Sequence, residues 1–326
     1  MRFIRALIWI VVIFGLGLTA VWFLAPREPV DMSARFDATR LSGGIDTYLI
    51  QAEANVPNLR AGTAKHVVWA GEAEAKTPLS IVYVHGFSAS LQEIRPVPDL
   101  VAQALGANLY YTRLAGHARD GDAMAEPRVA DWAADMAEAI AIGQAIGDRV
   151  IVMSTSTGAA LATLATLPGG VAHDIAGHIM VSPNFQVTNP AATILTWPGV
   201  RLWGPAIAGE QRVWEPLNPD HGRFWTTSYP TVAAIPMGAM VKAARDADVG
   251  TATVPVLCMC DPRDQVVDHT TTQAVAAAWG GDVTMERLSV GPGDDPYFHV
   301  ITGDILSPGQ TQRAADIMTE WIKGLN

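Results

Sequence analysis

Apolar and polar positions divide this chain into three unequal parts. Ala6 to Leu24 is an almost unbroken apolar run, with Thr19 its only interruption, and Arg2 and Arg5 precede it. Residues 25–43 are polar and irregular, with Pro26 and Pro29. From residue 44 to 326, short apolar runs alternate with helix-like segments. Strands are predicted at Ile45–Gln51, His66–Ala70, Leu79–His85, Asn108–Thr112, Arg149–Ser154, Ala176–Val181, Val254–Cys260 and Val283–Leu288, most of them β-branched-rich and bounded by turn residues. Val129–Ile146 places Trp132, Met136 and Ile140 at four-residue spacing, the stripe of a helix lying on a sheet. Thr157–Thr166 and the amphipathic Gln310–Lys323 read as helices as well. This alternation predicts an α/β fold with a mostly parallel sheet and helices on both faces.

The rhythm fails between about residues 184 and 250, where Trp197, Trp203, Trp214 and Trp225 fall among seven prolines. A loop-rich insertion with its own small core would look like this. So would a lid over a cleft, since long insertions in compact α/β domains are usually functional.

The N-terminal run is nineteen residues long, or roughly 28 Å of helix, close to the thickness of bilayer hydrocarbon. Trp9 and Trp22 stand near its ends, where indole rings favour the interface. With its basic flank N-terminal, residues 1–24 read as a membrane anchor whose globular part is exported, and residues 25–43 as a tether. A cleaved signal peptide is the competing reading, although a cut after Ala20 would put Leu18 where a small residue is wanted.

Composition narrows the function. The chain is 49% hydrophobic and 17% charged, unlike a disordered chain. Its formal charge of −10 repels phosphate backbones, so nucleic acid is not an expected partner. The two cysteines, Cys258 and Cys260, share one face of a predicted strand and read as small core residues. No H-E-x-x-H, C-x-x-C or P-loop is present, and no metal or cofactor is expected.

VIVMSTSTGAA, residues 150–160, is an apolar strand running into small residues that open a helix. A serine centred on such a turn, Ser156, is presented on a sharp bend with its hydroxyl clear of the sheet. Gly158 supplies the small neighbour on one side, and Ser154 stands where a glycine is usual on the other. A plain helix-capping turn would use the same residue types. The strand Leu79–His85 runs into His85-Gly86-Phe87-Ser88. There the N–H of Phe87 could join that of Thr157 in holding an oxyanion, although a tight strand exit looks alike.

A serine hydroxyl needs a base. His299, in the loop GPGDDPYFHV after the last predicted strand, is the first candidate, and His117 in LAGHARDG the next. His85 is read as a brace for the turn, and the remaining histidines as surface or structural. An imidazole base needs a carboxylate to orient it. Asp264 in VPVLCMCDPRDQVVD is the choice and Asp261 the runner-up. Ser156, Asp264 and His299 then follow the chain order Ser…Asp…His.

These segments carry a family resemblance. HGFSASLQEIRPV at 85–97, RLAGHARDG at 113–121, STSTG at 154–158, DPRDQVVD at 261–268 and FHVI around His299 resemble those of the α/β-hydrolase superfamily. Within it, the chain is most similar to bacterial carboxylesterases and monoacylglycerol-lipase-like enzymes, from roughly residue 79 to 322. The resemblance implies Ser156 as nucleophile, His299 as base, Asp264 as acid, the amides of Phe87 and Thr157 as oxyanion hole, and a lid between the sixth and seventh strands. The expected activity is hydrolysis of small-molecule or lipid acyl esters, of medium chain length, through an acyl-enzyme. Thioesterase, lactonase and acyltransferase chemistry share such a triad, and an anchored binding protein without turnover would share the fold.

Overall fold

The computed structural model describes residues 2–325. Helix α1 (Arg2–Leu24) is followed by an extended stretch and α2 (Ile45–Ala54). Then come β1 (His66–Val68), β2 (Thr77–Val84), α3 (Val97–Leu105), β3 (Asn108–Tyr111), α4 (Val129–Ile146), β4 (Gly147–Thr155), α5 (Thr157–Thr166) and β5 (Gly177–Val181). The chain continues through α6 (Val200–Ala208), β6 (Gln211–Val213), α7 (Pro219–Phe224), β7 (Ser228–Pro230) and α8 (Ala234–Asp246). It closes with β8 (Val256–Cys260), α9 (His269–Ala278), β9 (Val283–Arg287) and α10 (Thr311–Lys323).

Seven strands form one sheet in the order β1-β3-β2-β4-β5-β8-β9. Only β1 runs antiparallel to its neighbour. The fold is therefore α/β with a mostly parallel sheet, as the alternation predicts. Its inner strands are apolar on both faces because helices cover both. On one side Ile81, Tyr83, Ile151 and Met153 pack against α3 and α10. On the other, Val82, Val84, Val150 and Val152 meet Trp132, Met136 and Ile140 of α4. From β2 the chain crosses to β3 on one side, and from β4 to β5 on the other. The loops leaving β2 and β4 therefore diverge and open a crevice at the carboxyl edge, the usual ligand position in such sheets.

One predicted strand is corrected. Ile45–Gln51 lies in the helix α2, whose buried residues Ile45, Leu49 and Glu53 recur every fourth position. Its first turn is capped from a distance, since the Glu74 carboxylate accepts from the N–H groups of Ile45 and Asp46 at 3.1 and 3.0 Å. No local signal announces that cap. With this segment helical, the tryptophan-rich insertion falls between the fifth and sixth strands of the main sheet, β5 and β8, rather than the sixth and seventh.

The insertion holds a 3₁₀ turn at Pro190–Thr196, α6, the antiparallel pair β6–β7, α7 and α8. Helix α8 lies on α5, and Trp225 reaches the main core. Helix α1 is long and apolar enough to cross a membrane and none of its most apolar stretch is buried, which fits an anchor or a signal sequence. The stretch after it lies on the domain, with Val30 and Met32 packed against the core beneath α4.

Candidate active site

Strand β4 ends at Thr155, α5 begins at Thr157, and Ser156 between them has φ 50° and ψ −116°. A side chain in that region is strained by about 1–3 kcal/mol and persists only where its surroundings hold it. Here its N–H donates to Val181 O at 2.9 Å, and its carbonyl accepts from the N–H groups of Ala159 and Asn184 at 3.0 Å each. The Ser156 side chain makes no helix-capping bond, so the capping reading of this turn does not describe it.

The small neighbours have distinct reasons. A Cβ on Gly158 would stand 2.5 Å from the carbonyl oxygens of both Val84 and His85, where neither backbone can yield. A Cβ on Gly86 would meet a Glu93 carboxylate oxygen at 2.7 Å and Ser156 Cβ at 3.2 Å. The two turns therefore touch, and the backbones of Phe87 and Thr157 flank the serine. Ser154, where glycine is usual, is fully buried. Its Oγ lies 2.7 Å from Nε2 of His178 on β5 and donates to Ile179 O at 3.2 Å. The departure from the pattern is thus absorbed by a polar pair inside the sheet.

His299 lies 143 residues from Ser156 in sequence, yet its Nε2 is 3.1 Å from Ser156 Oγ. Its Nδ1 is 2.8 Å from Asp264 Oδ2. The other Asp264 oxygen accepts from the N–H groups of Val266 and Val267 at 2.7 and 2.9 Å, which fixes the carboxylate. Asp261 is engaged elsewhere. It takes the Arg263 guanidinium at 2.9 and 2.6 Å and the Val290 N–H at 3.0 Å, tying the end of β8 to the strand exit of β9. An imidazole placed between hydroxyl and carboxylate can take the serine proton and be stabilised as a cation.

Two buried carboxylates escape the sequence reading. Asp295 accepts from the N–H groups of Tyr297, His299 and Val300 at 3.0, 3.0 and 2.8 Å. It holds the loop in which Phe298 takes a left-handed φ of 59°. Glu93 accepts from the Gly86 N–H at 2.7 Å and the Tyr83 hydroxyl at 3.1 Å, bracing the β2 turn from beneath. Desolvation pushes the Glu93 carboxyl up to about 7, against the hydrogen bond from Gly86. Burial acts to lower the His299 imidazole, but Asp264, Glu93 and Asp295 outweigh it and hold the group above its ordinary 6.5. A DDP sequence just before the histidine is a turn signal that could have flagged Asp295. Glu93 carries no such mark.

The other histidines have different places. His85 Nδ1–H donates to Gly86 O at 2.8 Å while Nε2 accepts from the Leu114 N–H at 3.1 Å, so the ring braces the turn. Burial depresses it to about 4 and keeps it neutral. His117 sits behind Phe87, its ring 5.6 Å from that phenyl, and burial lowers it to about 3. It does not line the cleft that holds Ser156. Among the described residues no cluster of His, Cys, Asp or Glu side chains forms a metal-binding group.

Ser156, Thr157, Phe87 and His299 open on a cavity of about 490 Å³ that Trp214, Trp225 and His221 wall on one side. Val187, Tyr229, Met237, Val266 and Tyr297 line both this cavity and a neighbouring one of about 710 Å³. The larger space runs beneath α6, among Ile194, Leu195, Val200 and Ile235.

A model of the alpha/beta hydrolase family matches residues 81–300. Among solved structures, that of the metagenome-derived lipolytic enzymes LipS and LipT superposes with a TM-score of 0.66 at 19% identity, covering 81% of this chain and 99% of that one. The monoacylglycerol lipase of Paleococcus ferrophilus gives 0.58 at 15% identity, over 80% and 98%. A soluble variant of the monoglyceride lipase from Saccharomyces cerevisiae gives 0.58 at 11% identity, over 80% and 90%. At such identities the likeness is one of fold. No match is found among curated proteins. The matched stretch spans the strands β2 to β9, the serine turn after β4 and the histidine loop after β9, and by that match the chain belongs to the alpha/beta hydrolase family.

Proposed function

We propose that this protein is a serine hydrolase of carboxylic esters working through an acyl-enzyme. Ser156 Oγ attacks the ester carbonyl as its proton passes to His299 Nε2. Asp264 accepts from Nδ1–H and stabilises the imidazolium. The carbonyl oxygen, now negative, is held by the backbone N–H groups of Phe87 and Thr157. Collapse expels the alcohol, which takes the proton back from His299 and leaves an acyl group on Ser156. A water then attacks, its proton drawn to the same nitrogen, and the acid departs as Ser156 regains its hydrogen.

The observation that carries this reading is the line from Ser156 Oγ through His299 to Asp264, at 3.1 and 2.8 Å, opening on a cavity. The apolar space of about 710 Å³ beside it supports a medium-length acyl group as the part of the substrate held there. The insertion acts as its lid. Helix α1 anchors the protein in a membrane, with the hydrolase domain on the exported side; signal cleavage would instead release it.

A fluorophosphonate probe tests the mechanism: it should label the wild type and not Ser156→Ala, and an unlabelled wild type would leave a non-catalytic binding protein. Hydrolysis of p-nitrophenyl esters of increasing chain length tests the acyl assignment. A strict preference for acetate would exclude it.

A further inference from the structure

The ester reading leaves one set of contacts unused, those between the end of α1 and the cap helix α6. Glu28 is a carboxylate whose side chain is only 4% exposed, held between two guanidinium groups. It accepts from Arg128, at the start of α4, at 2.7 and 2.8 Å, and from Arg201 on α6 at 3.0 and 3.3 Å. Two residues earlier Pro26 O accepts from the Gly199 N–H at 2.7 Å. At the end of α1, Trp22 meets Trp197 edge-on with ring centroids 5.7 Å apart, and Trp197 in turn lies 6.3 Å from Trp203. Residues 22–28 therefore grip α6 through a ring pair, a main-chain bond and a shared carboxylate, and bind it to the body of the domain through Arg128.

The grip holds an unusual helix in place. Leu202 on α6 is 84% exposed and Ile207 is 72% exposed, and Ile207 also lines the 710 Å³ cavity. Val213, on the strand that follows, is exposed too. Large apolar side chains left exposed along one short segment mark a surface that can meet another apolar phase. The position of α1 says which phase. If its apolar length lies in a bilayer, Trp22 stands at the interface, where indoles settle. The headgroup layer is only about 5–8 Å deep on each side, and α6 starts three residues after Trp22's partner Trp197.

We infer that residues 22–28 form a clasp seating α6 on the lipid bilayer, so that Leu202 enters the interface and the apolar cavity takes its acyl ester from lipid rather than from water. This rests on reading α1 as a membrane-embedded helix. A chain drawn from the bilayer would then pass Ile207 into the cavity without crossing bulk solvent, which removes the cost of exposing it.

The test uses the full chain in phosphatidylcholine vesicles carrying a nitroxide lipid at headgroup depth. An environment-sensitive fluorophore is placed at L202C, at Q312C on α10, which packs on the sheet face opposite α4, or at V12C within α1; the native Cys258 and Cys260 are buried and stay unlabelled. Quenching at 202 and 12 but not at 312 is the expected result. Quenching at 12 with none at 202 overturns the docking and leaves the anchor. Quenching at none of the three overturns both, while the p-nitrophenyl assay still reports separately on ester hydrolysis. Glu28→Gln and Arg201→Gln should each lower hydrolysis of a vesicle-borne long-chain ester about tenfold and leave that of a water-soluble short ester unchanged. Equal losses on both esters, or on neither, would overturn the clasp.

Discussion

Every residue from Val150 to Ala160, through the serine turn, is buried. Between residues 186 and 217 only Pro198, Gly199, Val200 and Gly204 are buried. In the first region both backbone groups of Ser156 have partners, and the neighbouring glycines touch main chain that cannot move. In the second, a 3₁₀ turn, one short helix and a two-stranded pair border the larger cavity with side chains most of which are partly or fully exposed. On the proposed ester reading, the difference separates reaction from selection. Strain at Ser156 persists because the sheet over-determines it, whereas, on that same reading, side chains lining the larger cavity can change, and with them the substrate, without altering the hydrogen bonds that hold the turn.

The sharpest break in that comparison is at the turn itself. Ser156→Ala and His299→Ala should each lower ester turnover by roughly four to six orders of magnitude with the thermal midpoint nearly unchanged, checked by steady-state kinetics and calorimetry. A loss under a hundredfold for either would remove that residue from the mechanism.

Next come the two aspartates after β8. Asp264→Asn should cost about three to four orders of magnitude in turnover, because the amide no longer favours the imidazolium. Asp261→Asn should stay within about tenfold of wild type and lower the thermal midpoint instead, since its partners are Arg263 and the Val290 N–H. The same pair reads out in pH. His299 must be neutral to act as base, and its pKa lies above 6.5, so kcat/KM should fall as the pH drops through that raised value. Removing the charge at 264 takes away the first of the raising partners and should move this acid limb to lower pH, while Asp261→Asn leaves it in place.

A smaller effect belongs to the cap. Ala192 lines the 710 Å³ cavity. Ala192→Trp should reduce kcat/KM for longer acyl esters about tenfold, in keeping with the discrimination that apolar pockets achieve, and barely alter that for acetate. Equal loss on all chain lengths would place the acyl group elsewhere.

The sequence made some of this legible. The runs Val129–Ile146 and Thr157–Thr166 match α4 and α5 end to end, because amphipathic spacing and an alanine-rich stretch record helix burial directly. Ser156 and Asp264 are readable as candidates because each follows an apolar strand, and His299 because it sits in a glycine- and proline-rich loop after the last strand. What was hidden depends on partners far along the chain. Ile45–Gln51 looked like a strand because its cap, Glu74, lies 29 residues from Ile45. Glu93 under the β2 turn and Glu28 between Arg128 and Arg201 have no pattern in their own neighbourhoods, and only the folded chain assembles their sites.

The smallest effect concerns the residue by which the serine turn departs from the usual glycine. In the comparison of buried turn and open cap, Ser154 belongs wholly to the first. Its hydroxyl is paired with His178 Nε2, and His178 Nδ1 has no partner among the described residues. The ring stays neutral, since burial depresses it to about 3. Ser154→Ala would leave both ring nitrogens unpaired inside the sheet, a loss of about 1–3 kcal/mol. For a chain of this size that corresponds to a midpoint lowered by several degrees, measurable by calorimetry. The Ser154 hydroxyl does not face the cavity that holds Ser156, so ester turnover should remain within about threefold. Should turnover instead fall a hundredfold at an unchanged midpoint, Ser154 would be acting on the reaction and the division between a rigid chemical turn and its structural support would have to be redrawn at this residue.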